Sequence, residues 1–136
     1  TFVDNRNAWF VGVFEEIETD TIEDGVFRVQ WAASGTSYEL YEVQELTNFI
    51  AEVDCRVVAG DVDASCGLVF GQQTDIGFYK FELFEDYYRL FIVRAAGEPE
   101  LIAEGNPAGV VQTGDWNRLR VVKQGERIRV FVNEVL

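Results

Sequence analysis

The sequence of 136 residues has no histidine, no methionine and only two prolines. The absence of histidine excludes Ser-His-Asp and Cys-His nucleophile systems, histidine metal ligands and an imidazole pH switch. No run of 18 apolar residues occurs, so the sequence predicts no membrane insertion. Because position 1 is not methionine and no signal-like start is present, we expect a chain processed from a longer precursor.

Positive charge is also scarce, with 11 Lys and Arg against 24 Asp and Glu and a net charge of −13. An acidic surface repels phosphates, which disfavours nucleic acid and anionic membrane surfaces as partners. The chain is nevertheless 48% apolar and 14% aromatic, too rich in core-forming residues to be disordered. The length fits one compact domain over residues 1–136.

Apolar and polar residues alternate with a period of two along most of the chain, which is typical of half-buried strands. The predicted strands are Val26–Trp31, Phe49–Val58, Cys66–Phe70, Phe78–Phe84, Tyr87–Arg94, Trp116–Lys123 and Arg127–Val132. Turns rich in Gly, Asp and Asn separate them at a spacing of about ten residues. This pattern predicts an all-β, antiparallel two-sheet sandwich.

The last two predicted strands carry the most specific pattern. Residues 116–122 read W-N-R-L-R-V-V, Gly125 follows, and residues 127–133 read R-I-R-V-F-V-N. This resembles the close of concanavalin A-like jelly rolls of the laminin-G-like and DUF1080 (3-keto-disaccharide hydrolase-like) branch. Supporting similarities lie at 4–9, 23–29, 67–70 and 78–81. The resemblance implies a concanavalin A-like jelly roll, extracellular or at the cell surface.

The resemblance also implies that the domain is incomplete at its C-terminus. Glu134 stands where the family usually has glycine, and such domains continue through further closing strands. We expect the missing strand to come from a second chain, from a cleaved piece, or from a swap between copies in a homo-oligomer.

One face of the predicted strands 78–84 and 87–94 mixes rings with charges. The candidate ligand-binding residues are Phe84, Tyr87, Arg89 and Phe91, with Trp31 and Tyr38 at the border. Sugar-binding grooves combine ring platforms with hydrogen-bonding side chains in this way. The alternative is that these rings are buried beneath a strand, a loop or a partner chain.

Acidic residues suggest two further sites, each with a simpler explanation. Glu16, Glu18 and Asp20 would share one strand face, as nucleophile and acid/base do in sandwich-fold glucanases. Those enzymes carry the motif on a central strand, whereas here it lies near the N-terminus and leads into a turn. A solvated acidic edge is therefore the favoured explanation, and we predict no catalytic residue and no enzyme. Asp61 and Asp63 lie in a loop that suits Ca²⁺ or simply a turn. We expect no cofactor, with Ca²⁺ as the alternative.

The two cysteines, Cys55 and Cys66, lie on successive predicted strands. A hairpin folding near Gly60 and Asp61 would place them opposite each other, within reach of a disulfide. Two buried free thiols are the alternative.

These observations predict a noncatalytic extracellular carbohydrate-binding or adhesion module. One alternative is a structural or interaction module of a larger secreted or surface assembly, completed by a strand from another chain. A second alternative is a glycoside-active enzyme of the same fold. The expected partners are a glycan or another protein chain.

Overall fold

A computed structural model describes residues 4–5, 7–39, 46–73, 76–106 and 109–136. Within these ranges the backbone forms ten β-strands in three antiparallel sheets and no α-helix, which confirms the all-β prediction. The strands are β1 (Gly12–Phe14), β2 (Glu18–Glu23), β3 (Val26–Trp31), β4 (Asn48–Cys55), β5 (Cys66–Gln73), β6 (Gly77–Leu83), β7 (Tyr88–Arg94), β8 (Glu100–Gly105), β9 (Asn117–Gln124) and β10 (Arg127–Val132).

The chain divides into two compact units, and the first spans Thr1–Gln44. Its sheet has the order β1-β2-β3. A turn of three residues, 15–17, joins β1 to β2, and the amide of Ile17 donates to the carbonyl of Phe14 at 3.1 Å. The single domain predicted over residues 1–136 stays a prediction.

The second unit, Glu45–Leu136, contains the sheets β10-β9-β4 and β5-β6-β7-β8. Alternation along the strands sends one set of apolar side chains from each sheet into a common core. Phe81, Leu83 and Leu90 come from one sheet, and Leu119 and Val121 come from the other. All five are less than 9% exposed. The segment between β4 and β5 connects the two sheets and lies near the candidate site.

β10 is an edge strand, and among the described strands it pairs only with β9. A two-residue turn, Asn133–Glu134, then reverses the chain. Val132 and Val135 exchange two backbone hydrogen bonds of 3.0 Å across this turn. The prediction that another chain supplies a neighbouring strand stays a prediction.

The turn places both of its central residues in the left-handed region, with φ +48° at Asn133 and +67° at Glu134. Asparagine tolerates this conformation, whereas glutamate pays a steric penalty there. We expect Glu134→Gly to raise the free energy of unfolding by about 1 kcal/mol. The ion pair that is lost, Arg120–Glu134 at 3.1 Å, is exposed and contributes little.

Chemical denaturation measures this effect, with Glu126→Gly as the matched control. Glu126 lies in the β9–β10 turn and has a negative φ, so glycine there removes no strain and adds backbone entropy to the unfolded chain. The control should be neutral or less stable. Loss of stability in Glu134→Gly as well would contradict the strain argument.

Candidate binding site

The turn that joins β6 to β7 holds two aromatic rings against each other. Phe84 directly follows β6 and Tyr87 directly precedes β7, and the Phe84 amide donates to the Tyr87 carbonyl at 2.8 Å. Their ring centroids are 4.7 Å apart, with an interplanar angle of 1°. Glu85 and Asp86 occupy the exposed tip of this turn. Two of the predicted site residues are therefore in direct contact.

Arg89 lies over both rings. Its guanidinium carbon is 5.2 Å from the Phe84 centroid and 5.0 Å from the Tyr87 centroid, within cation–π range. Arg89 Nε also donates to Glu104 Oε2 at 3.1 Å, across the β7–β8 pairing. We call Phe84, Tyr87 and Arg89 the aromatic platform. Its geometry is fixed by internal contacts, and the Arg89 side chain remains 34% exposed.

Phe91, the fourth predicted residue, lies two positions further along β7, where its ring contacts Lys80 instead of Phe84. Lys80 Nζ is 5.2 Å from the Phe91 centroid and 3.1 Å from Glu82 Oε2. Glu82 also accepts a hydrogen bond from Ser65 Oγ at 3.0 Å. The sheet therefore continues the mixture of rings and charges beyond the platform.

A cleft of about 180 Å³ lies beside the platform and shares Phe84 with it. Three segments form its walls: residues 57–64 after β4, the β6–β7 turn, and residues 112–115 before β9. The polar side chains in these walls belong to Asp61, Glu85, Gln112, Thr113 and Asp115. No lysine or arginine lines the described cleft, so its charge is negative.

Hydrogen bonds from Asn117 position the third wall, residues 112–115. Asn117 is 1% exposed. Its Nδ2 donates to the carbonyl oxygens of Gln112 and Asp115, each at 2.9 Å, and its Oδ1 accepts from the Gln112 amide at 2.8 Å. Asn133 Nδ2 donates to the same Oδ1 at 2.8 Å and to the carbonyl of Val110 at 2.7 Å. The two asparagines therefore pin residues 110–115 to the ends of β9 and β10.

Sequence reasoning missed the cleft-lining polar residues other than Asp61, and it missed the role of Asn117. The signal that could have found them is the cluster Gln112-Thr113-Gly114-Asp115, a turn composition directly before a strand. Such a cluster predicts a loop, but it does not predict which other loops lie beside it.

The remaining two predicted ligand-binding residues belong to the first unit. Trp31 ends β3, is half-buried, and has an indole nitrogen without a hydrogen-bond partner. Tyr38 follows this strand and is 49% exposed. Their predicted position at the border of the site stays a prediction.

The predicted calcium ligands separate in the structure. Asp61 lines the cleft, whereas Asp63 lies in the following turn and is not among the lining residues. Among the described residues, no group of three or more His, Cys, Asp or Glu side chains could hold a metal ion. The predicted calcium site stays a prediction.

Cys55 and Cys66 are free thiols, and the hairpin expected between them is absent. Cys55 ends β4, which pairs with β9, whereas Cys66 begins β5, which pairs with β6. The two strands belong to different sheets because the intervening segment crosses between them. Cys66 nevertheless packs against the core that contains Cys55, and the neighbouring Cys66 thiol, together with burial, raises the pKa of Cys55. The predicted disulfide stays a prediction.

The acidic residues near the N-terminus do not form the expected row. Glu16 lies in the β1–β2 turn, exposed and with φ +61°, so only Glu18 and Asp20 share a face of β2. These two are buried, at 9% and 0% exposed, and the expectation of a solvated acidic edge is wrong for them. A substrate cannot reach the Asp20 oxygens in this conformation.

Glu18 and Asp20 differ in how their carboxylates are satisfied. Ser37 Oγ donates to Glu18 Oε1 at 2.5 Å, whereas neither Asp20 oxygen has a hydrogen-bond donor. Burial, then the neighbouring charges of Glu18 and Glu39, raise the pKa of Asp20 to about 6. The close Glu18 carboxylate stabilises the protonated form of Asp20.

Comparisons with known proteins add no assignment. No family model matches the chain, and neither the curated proteins nor the solved structures include a significant match. Within the described residues, no helix has the length and apolar character needed to cross a membrane.

Proposed function

We propose that this chain is a noncatalytic extracellular carbohydrate-binding module that binds a neutral sugar in the cleft beside the aromatic platform. The fold proposed with it is the concanavalin A-like jelly roll. Two antiparallel sheets that share one core, and the W-N-R-L-R-V-V and R-I-R-V-F-V-N segments paired as β9 and β10, support that fold.

The observation that carries the proposal is the composition of the cleft. Phe84 contributes a small apolar edge to the cleft, because it is 6% exposed and one face of its ring is stacked on Tyr87. Such an edge can contact C–H groups of a sugar ring. Asp61, Glu85 and Thr113 line the same cleft. Carboxylates accept charge-assisted hydrogen bonds from sugar hydroxyls, which are stronger than neutral ones.

The charge and the size of the cleft restrict the ligand class. Carboxylates without a lining cation repel uronic acids and sulfated or sialylated sugars, so a neutral sugar fits best. At about 180 Å³ the cleft is smaller than the roughly 300–1,000 Å³ typical of drug-sized ligands. We therefore infer that it holds one sugar ring, with any further rings lying outside.

We expect neutral oligosaccharides to shift the amide NMR signals of Glu85 and Thr113 in the full chain, at micromolar to millimolar concentration. Glu85→Gln keeps the shape of the cleft but removes the charge assistance. It should weaken binding roughly tenfold, because such hydrogen bonds contribute about 1.5–3 kcal/mol. The matched control is Glu98→Gln, an exposed glutamate of the β7–β8 loop outside the cleft.

The control should bind with unchanged affinity. Failure of every neutral glycan to bind at millimolar concentration would refute the proposal. So would an affinity that Glu85→Gln leaves unchanged, since the ligand would then lie elsewhere.

A further inference from the structure

The two ends of the cleft's first wall carry the chain's two thiols. Cys55 closes β4 and Cys66 opens β5, so the ten residues 56–65 form a loop between them. Val57, Gly60 and Asp61 of this loop line the cleft. The base of the loop is therefore the place where a covalent bond would fix the wall.

Both cysteines pack in one hydrophobic core at that base. Cys55 is 8% exposed and belongs to the shared core, and Cys66 is partly buried and packs against the same core. Cys55 pairs with Asn117 on β9, and Cys66 pairs with Leu83 on β6. Because Asn117 and Leu83 both line the cleft, the thiol pair lies directly below its floor.

We propose that Cys55 and Cys66 are an oxidisable dithiol whose disulfide joins the two sheets and closes the loop 56–65 beneath the cleft. The oxidant is a small-molecule disulfide such as oxidised glutathione. This inference does not rest on the proposed sugar ligand, because it concerns the covalent state and the stability of the loop.

The reaction has two thiol–disulfide exchange steps. Cys66 is the more exposed thiol, so its thiolate attacks the small disulfide, forms a mixed disulfide and releases one small thiolate. Cys55 then loses its proton and attacks the Cys66 sulfur, which breaks the mixed bond and releases the second small thiolate. The two cysteine protons end on the two released thiols, and one small disulfide is reduced for each protein disulfide formed.

The test treats the native full chain with oxidised glutathione and follows free thiols, intact mass and the non-reduced peptide map. We expect an intramolecular Cys55–Cys66 link with no lasting glutathione adduct. Closing a loop of this length should raise the Tm by about 5–10 °C relative to the reduced chain. Hydrogen exchange in residues 56–65 should slow in the oxidised protein.

Two single variants separate the steps. Cys55→Ser should stop at a glutathione adduct on Cys66, whereas Cys66→Ser should acquire no adduct, because Cys55 is buried. Thiols that stay free in the native wild-type chain while reacting in the denatured chain would overturn the proposal. A persistent adduct, a link between two chains, or an unchanged Tm in the oxidised protein would overturn it equally.

Discussion

Asp20→Asn is expected to raise the free energy of unfolding at pH 7 by about 3 kcal/mol. Asp20 is 0% exposed, and no hydrogen-bond donor contacts its carboxylate. Its neighbours across the sheet are Gly12 on β1 and Val29 on β3, which offer no side-chain donor. The difference between its pKa of about 6 and the ordinary value of 3.8 corresponds to about 3 kcal/mol. Asparagine removes the buried charge and can donate to Glu18.

The pH dependence of this effect has a definite sign. Below about pH 4 the Asp20 carboxyl is protonated in both the folded and the unfolded chain, so its burial adds no charge penalty to the free energy of unfolding. Between about pH 4 and 6 the unfolded chain loses this proton while the folded chain keeps it, so stability falls as the pH rises. Above about pH 6 both states are ionised, and the full cost persists. The advantage of Asp20→Asn should therefore grow from about zero at pH 4 to its maximum near pH 7.

Denaturant unfolding of both proteins at several pH values measures this advantage directly. The fluorescence of Trp9 and Trp31 follows the first unit when Trp116 is replaced by phenylalanine in every variant compared. The pH dependence of wild-type stability alone is insufficient, because other carboxylates also change the free energy of unfolding with pH. Glu23→Gln is the matched control, since Glu23 lies on the same strand but is exposed. Two results would show that the buried Asp20 carboxylate has hydrogen-bond partners. One is a gain in the free energy of unfolding that is equal at pH 4 and pH 7. The other is an Asp20→Asn protein that is less stable than the wild type at pH 7.

The sequence predicts some strands of this fold and misses others, including β2, the strand that carries the buried Asp20. The strands Val26–Trp31 and Arg127–Val132 are predicted with their observed bounds, because β-branched and aromatic residues alternate with polar ones there. β2 is not predicted as a strand in its own right, since E-T-D-T-I-E has little apolar content. β8 is missed for a similar reason, having glutamates at Glu100 and Glu104. Pairing with neighbours, not local composition, makes these segments strands.

The same limit applies to the candidate site. Alternation along β6 and β7 predicts the outward face that carries Arg89 and Phe91, because that argument is local. The cleft is formed by three loops that are far apart in the sequence, and no periodicity links them. The cysteines show the difference most clearly. The sequence predicts their proximity through a hairpin, whereas the strands that carry them belong to different sheets that share one core.

Asn117→Ala should lower the free energy of unfolding of the second unit by about 3–4 kcal/mol, which is large for a single truncation. Asn117 makes four hydrogen bonds while only 1% exposed. Alanine would remove the hydrogen-bond partner of four groups: the Gln112 amide, the Gln112 carbonyl, the Asp115 carbonyl and the Asn133 side-chain amide. Each buried group left unsatisfied costs about 1–3 kcal/mol, less whatever water recovers by entering the space.

Asn117→Asp tests whether the hydrogen-bond donors of the Asn117 side chain or its shape stabilise the second unit. Aspartate has nearly the same volume and keeps the Oδ1 acceptor, but its second oxygen faces the carbonyls of Gln112 and Asp115, which also only accept. We expect a loss at pH 7 at least as large as that of alanine, and partial recovery at acidic pH, where a protonated carboxyl can donate one of the missing bonds. Equal stability of the aspartate variant and the wild type at pH 7 would refute the donor argument.

Denaturant unfolding followed by Trp116 fluorescence measures both losses in a background in which Trp9 and Trp31 are replaced by phenylalanine. Asn48→Ala in the same background is the matched control. Asn48 also accepts a backbone hydrogen bond, from the Gly125 amide at 2.8 Å, but it is exposed, so water replaces the lost contact. The control should lose less than about 1 kcal/mol. Because Asn117 holds residues 112–115, its loss should also raise hydrogen exchange in that wall of the cleft before global unfolding. Unchanged protection there would mean that Asn133 alone positions the wall.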